Sequence, residues 1–482
     1  MHSNEQNFLY TENKPKRYKL SFGQFLFILV RSIPYVLLTL LIFVIVIGVF
    51  AFISIAPYYV SLKSVYAEGM AGQDHLQRAE KALTQQNFTL AVAELDLSEK
   101  SFASANKALT ISGKAAIFRS QLVKNQYDIA GDIIEIGEIT AGSLKNITAK
   151  GVEITELLHT DKIIWQDITP EQKGEILKVL SDSVDDLKNT QTDLGLVSAK
   201  LIDINGKNPM FVFDKVIEPL QTKLPKIKQS FDSLVTVAEL LPAFSGYPEE
   251  KTYLFILQNN REMRPSGGFI GTYGILKIKN AEITEFFTDN SYNLDKLVIG
   301  ELDIEPPSPI EKYMEQDHWY FRDSNWWPDF PTSADKAMWF YHQEGGKEQF
   351  DGVIAITPTV IENMMSVLGS FTIQNLLFDK DNFWEQLQYE VEFGYYDDGI
   401  HESDRKDIIG ELGDKILKKM YTLPMNQLNN ILEIVNKQVK EKQIQVYFTD
   451  NELQNLALQN GWAGNVKGYA GDYLMLVDAN LA

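Results

Sequence analysis

The run TYLFILQ, residues 252–258, leads directly into NNREMRPSGGFIGTYG, residues 259–274. The first run is too short and too apolar for a surface helix, and it reads as a strand buried on both faces of a sheet. Two arginines, a proline and a glycine pair then form a turn, after which FIGTYGILKI resumes the sheet. Lys279-Asn280-Ala281 joins that strand to EITEFFT as a hairpin. Downstream, FDGVIAI (350–356) is another buried strand. Thr357-Pro358 caps and opens the helix VIENMMSVL, and Gly369 stops it. FTI is extended again, helices are expected over 383–393, 404–420 and 425–437, and QIQVYF and YLMLVDA read as late strands. Strands interleaved with helices predict an α/β (α+β) sandwich over 246–482.

Upstream the pattern is helical. In LQRAEKALTQQNFTLAVAELDLSEKSFASANKAL (76–109) the small residues Ala79, Ala82, Ala91, Ala93, Ala103, Ala105 and Ala108 line up with Leu83, Phe88, Leu95, Phe102 and Leu109. Two helices joined near Gln86 and Asn87 could therefore pack closely. The hairpin looks locally like a tetratricopeptide unit, but no second copy follows at a spacing of about 34 residues, so an all-helical stalk or bundle over 57–245 is expected in place of a solenoid. Thr169-Pro170-Glu171-Gln172 has the pattern of a capping box with proline at the first helical position. PAFSGYPEE (242–250) marks the boundary.

Further upstream, IPYVLLTLLIFVIVIGVFAFISIA (33–56) is uncharged and slightly longer than the ~20 apolar residues that cross a bilayer. A cleaved signal peptide has a shorter apolar core and a shorter head, so this segment reads as an uncleaved transmembrane signal anchor. Lys14, Lys16, Arg17, Lys19 and Arg31 precede it and only Lys63 follows closely. Residues 1–32 are accordingly expected in the cytoplasm and everything after about residue 57 outside, on a single-pass protein of the cell membrane. The chain stops at Asp478-Ala479-Asn480-Leu481-Ala482, immediately after an apolar strand-like run, which suggests a truncated reading frame.

Composition excludes several classes. With 45 basic and 65 acidic residues the net charge is −20, which argues against nucleic acid as a partner. There are no cysteines, and the six histidines lack the spacing of a zinc protease. No Ser/His/Asp triad or spaced carboxylate pair stands out, so no catalytic residue is assigned.

Against that acidic background the local cations are informative. Arg261 and Arg264 offer forked donors suited to phosphate, and Gly267 and Gly268 let a backbone approach a ligand. A bulge with structural ion pairs, for instance to Glu262, is the alternative. In HWYFRDSNWWPDFPTSADKAMWFY (318–341), Arg322, Asp323, Asn325 and Asp329 sit among tryptophans and must be paired if buried. Asp323 and Asp329, with Asn325, have the oxygens to hold Mg²⁺, while an Arg–Asp pair would satisfy them equally. Arg405 and Lys406 open an amphipathic helix, where cations oppose the macrodipole unless an anion lies nearby. Asp404 and Asp407 are candidates for that anion.

The ordered series QNNREMRPSGGFIGTYG, FRDSNWWPDFPTSA, FDGVIAITPTVIENMMSVLG and SDRKDII resembles a bacterial family known only as a domain of unknown function, DUF4012. More distantly, the order of parts is similar to that of the LytR-CpsA-Psr phosphotransferases, signal-anchored enzymes that move glycopolymers from polyprenyl-pyrophosphate carriers to the cell wall. The counterparts are Arg264, then Arg322 with Asp323, then the segment 351–369, then Arg405. The aspartate expected two residues after the first arginine is Ser266 here, and the later paired arginines and glutamine are reduced to Arg405-Lys406. The resemblance implies an extracytoplasmic domain that binds a lipid-linked glycopolymer or other anionic ligand, with phosphotransfer as a possible activity. The alternative is a non-enzymatic envelope scaffold or adhesion protein.

Overall fold

The computed structural model describes residues 59–112, 121–158, 165–207, 214–397 and 399–481. The anchor expected at 33–56 and the tail at 1–32 lie outside the described residues. Among those described, no helix is long and apolar enough to cross a membrane.

The helical region begins with α1 (Tyr59–Thr84) and α2 (Phe88–Ser112). They turn at Gln86, whose φ is 60°. Ala79, Ala82, Ala91 and Ala105 are buried in the same cluster as Phe102, whose ring packs on the bare backbone of Gly72. That ring presses on Gly137 of α3 (Gln121–Leu158) so closely that a Cβ there would lie 2.8 Å from it. α4 (Pro170–Asp182) has the full capping box: Gln172 N–H donates to Thr169 Oγ1 and the Gln172 side chain accepts from the Thr169 N–H. α5 (Val184–Gly206) and α6 (Asp214–Phe244) complete the described helices of this region.

α6 hands over to the sheet, where Tyr253 Oη donates to the Phe244 carbonyl at 3.0 Å. The strands are β1 (Lys251–Asn259), β2 (Phe269–Lys279), β3 (Glu282–Asn290), β4 (Gly352–Ile356) and β7 (Ile444–Phe448), in the spatial order β3-β2-β1-β4-β7. β1 is parallel to β4 and antiparallel to β2, and β4 is antiparallel to β7. The sheet is therefore mixed, with β1 at its centre, as its continuous apolar run requires. Asn280 and Ala281 take positive φ (50° and 58°) in the two-residue β2–β3 turn.

One face of the sheet packs on α9 (Phe330–Gln343) and the aromatic segment before it, through Phe321, Phe330, Phe340 and Tyr341. The short helices α7 (Ser291–Lys296) and α8 (Ser308–Met314) precede that segment. A second apolar cluster joins α10 (Pro358–Leu368), a small hairpin of β5 (Phe371–Ile373) and β6 (Leu376–Phe378), and α11 (Phe383–Tyr389). It also takes in α13 (Asp407–Tyr421) and α14 (Met425–Lys440). α11 runs on through a π-helical turn, Glu390–Gly394, into α12 (Tyr395–Asp397). Residues 404–406, read as the first turn of a helix, precede α13 instead.

The run YLMLVDA is not a strand. It lies extended and unpaired, with Leu474 95% and Leu476 87% exposed. Strand composition needs an open edge, and at β7 the Val446 N–H is already taken by the carbonyl of Trp462, just past α15 (Asn451–Asn460).

Candidate functional site

The turn after β1 is built by backbone proximity. Asn259 O accepts from Glu262 N–H at 3.1 Å, Gly267 N–H donates to Arg264 O at 3.0 Å, and Phe269 N–H donates to Glu262 O at 2.9 Å. Gly267 has φ +153°, and a Cβ on it would lie 2.1 Å from Gln258 Oε1. A Cβ on Gly268 would lie 2.2 Å from the Asn259 carbonyl. Both glycines are thus needed to close the turn, and the Gly267 amide is spent inside it. That amide is turned inward, to Arg264 O, and not toward a ligand. The turn follows the carboxyl end of β1, beside parallel β4, which is where open α/β sheets place ligands.

Four cations from distant parts of the chain gather beside this turn. Arg264, with only 3% of its side chain exposed, lies 3.3 Å from Glu262 and 3.5 Å from Asp323. Its guanidinium packs over the Phe269 ring and donates to the backbone carbonyl of Asn480. Arg322 binds Asp295 at 2.6 Å and reaches the other Asp323 oxygen at 3.5 Å, between the rings of Tyr292 and Tyr320. Lys406 donates to the Gly271 carbonyl and lies over the same Tyr292 ring. Arg405 pairs with Glu392 at 3.2 Å, donates to the Val391 carbonyl and sits near the Tyr395 ring. Asp323 and Tyr292 are the hubs: each touches cations from two separate segments. Arg261 points elsewhere, 60% exposed, toward Glu362 and the Trp384 ring.

Burial dominates the protonation of this cluster. It pushes Glu344 up to about 9, with the neighbouring Asp295 charge adding to the shift. Glu344 accepts from the Phe321 N–H at 2.6 Å through Oε1. Its Oε2 and Asp295 Oδ1 have no other hydrogen-bond partner among the described residues, so one proton shared between these two carboxyls satisfies both. Burial also raises Glu262 and Asp323, against the pull of nearby arginines. For Lys406 burial acts in the opposite direction and, with Arg405 beside it, lowers the ammonium to about 8.

Asp323 and Asp329 do not form the expected metal pair. Asp323 is buried between arginines, whereas Asp329 caps α9 by accepting from Thr332 N–H and also accepts from Val466 N–H. Among the described residues no group of three or more His, Asp and Glu is arranged to hold a metal ion. Asp295, Tyr292, Glu344 and Glu392 were not anticipated. Asp295 lies in SYNLDK, a short polar stretch that carries no motif, and Glu344 reads in sequence only as the end of a helix.

No curated protein and no solved structure matches the chain. Residues 248–391 match the model of a family described as a protein of unknown function (DUF4012), a span that includes Arg264, Asp295, Arg322, Asp323 and Glu344 and ends before Arg405 and Lys406. That segment, under a third of the chain, is where the chain is similar to DUF4012.

Proposed function

We propose that this chain is a single-pass, membrane-anchored cell-envelope protein whose extracytoplasmic α/β domain binds the phosphate groups of a polyprenyl-pyrophosphate-linked glycopolymer. The observation that carries this reading is the convergence of Arg264, Arg322, Arg405 and Lys406 at the carboxyl end of β1. Asp295, Asp323 and Glu344 are the carboxyl groups buried beside these cations among the described residues, and Glu344 shares a proton with Asp295. The other two partners, Glu262 and Glu392, have side chains 39% and 46% exposed and hold their arginines from the solvent side. A pyrophosphate entering there would take the place of both glutamates with little change in local charge, and Arg264 Nε and Arg405 Nε have no protein partner among the described residues. The order of these residues along the chain, like that of the LytR-CpsA-Psr phosphotransferases, adds support. If transfer occurs, it would proceed by positioning and charge neutralisation, with no protein nucleophile.

One observation favours a second reading. Each guanidinium of the cluster already has a carboxylate partner, as expected of a non-enzymatic scaffold or adhesion protein held by structural ion pairs. Extraction of the full chain in mild detergent, with mass-spectrometric identification of bound lipid, separates the two. A polyprenyl-phosphate lipid should accompany the wild type and be lost from Arg264→Ala/Arg405→Ala. Equal lipid content in both, or none in either, refutes the ligand reading.

A further inference from the structure

The segment running from α11 through the π-helical turn to α12 is apolar on two faces. Phe383, Leu387 and Val391 face the core. Tyr389, Phe393 and Tyr396 face outward, 50%, 66% and 80% exposed. The first two outward rings lie 6.2 Å apart with only 38° between their planes, so they form a nearly continuous floor. The turn that presents them is itself unusual. Glu390 folds across Gly394, where a Cβ would lie 2.2 Å from its Oε2, and Gln386 Nε2 donates to Glu390 Oε1 at 2.8 Å. π-helical turns are rare and concentrate at functional sites. This one is joined to the cation cluster, because Arg405 donates to Val391 O and pairs with Glu392.

The surrounding charge selects the occupant. Residues 383–404 contain seven carboxylates and no lysine or arginine. Among the described residues the cations that pack on them are two, Arg405 at Glu392 and Arg261 at Trp384, so the net charge of the segment stays negative and repels an anionic lipid surface. Exposed rings on a segment rich in hydrogen-bond acceptors suit a molecule with an apolar face and hydroxyl donors at its edge. We propose that Tyr389, Phe393 and Tyr396 form a stacking platform for neutral pyranose units of a glycan, adjoining the cation cluster. The proposal rests on the phosphate reading only for what the glycan is attached to.

The test uses the full chain in a detergent without a sugar headgroup, with chitotetraose, cellotetraose and maltotetraose as neutral pyranose probes and inorganic pyrophosphate as the anionic one, measured by calorimetry. At least one tetrasaccharide should bind saturably. Its affinity should fall about ten-fold or more in Tyr389→Ser/Phe393→Ser/Tyr396→Ser, and in Phe393→Ser alone to a lesser degree. The platform is overturned if none of the three sugars binds the wild type, or if the serine variants bind as well as the wild type. It is also overturned if no sugar binds and the triple variant instead dissociates an oligomer, which would make these rings an interface between copies. Failure of the phosphate reading would look different: pyrophosphate would bind wild type and Arg264→Ala alike while sugar binding persisted.

Discussion

Replacing Lys406 by methionine should make the protein more stable at neutral pH while weakening anion binding. Lys406 is 8% exposed, and burial with Arg405 nearby lowers its pKa from 10.5 to about 8. At about 1.4 kcal/mol per unit, carrying the ammonium in the native state below pH 8 costs about 3 kcal/mol relative to a neutral amine. Methionine keeps an unbranched apolar stem but forfeits the hydrogen bond to the Gly271 carbonyl, a loss of about 1 kcal/mol. The expected net gain at pH 7 is therefore about 2 kcal/mol. The sign with pH follows from a depressed folded-state pKa: between about 8 and 10.5 the unfolded chain holds the proton more tightly, so wild-type stability rises. By pH 9.5 the remaining cost is about 1 kcal/mol, and the advantage of methionine should vanish. Guanidinium unfolding followed by tryptophan fluorescence measures this in the full chain, because six of the seven tryptophans lie between residues 319 and 462. A destabilised Lys406→Met at pH 7, or a gain independent of pH, refutes the reasoning. Pyrophosphate binding to the wild type should correspondingly weaken as pH rises through about 8.

Glu344→Gln tests the shared proton. With the folded-state value raised from 4.5 to about 9, the native-state advantage of Glu344 is complete below 4.5 and lost as pH rises through 9. The amide should thus melt close to wild type near pH 4.5 and above it by pH 8, as read by thermal unfolding. Gly268→Ala forces a Cβ into the Asn259 carbonyl and should cost about 1–3 kcal/mol, measurable by the same denaturant titration. Asp329→Ala removes a helix cap and the acceptor for Val466 N–H, and should cost about 1–2 kcal/mol with no effect on pyrophosphate affinity by calorimetry.

The central strand was legible because a residue buried on both faces leaves a continuous apolar run, and TYLFILQ has one. The capping box at Thr169 and the helix stop at Gly369 were legible because each uses residues with a narrow conformational purpose. Arg264, Arg322 and the 405–406 pair could be singled out as local cations in an acidic chain, but that they lie near one turn, with Arg261 away from it, is a matter of topology. Two of their partners were legible, Glu262 as a neighbour of Arg264 and Asp323 as half of an Arg–Asp pair. Asp295 and Glu344 were not, because they meet through a mixed sheet whose strand order no local pattern encodes. Asp329 was misassigned although the signal was present, since an aspartate two residues before a proline at a helix start is a cap before it is a metal ligand. YLMLVDA failed for a different reason, because apolar alternation reports fitness for a sheet but says nothing of whether an edge is open to receive it.

Lys406 also weighs between the two functional readings. Structural ion pairs account for the arginines: Arg264 has Glu262 and Asp323, Arg322 has Asp295, and Arg405 has Glu392. Among the described residues Lys406 makes no salt bridge, and its ammonium is met by a backbone carbonyl and the face of Tyr292. A scaffold gains nothing from this arrangement, because an apolar side chain of similar length would fill the space without the charge-burial cost. A site for an anionic group does gain, since the charge whose burial costs stability is the one a phosphate would compensate. Stability sacrificed at a single buried cation is what a binding site tends to show and a packing motif does not.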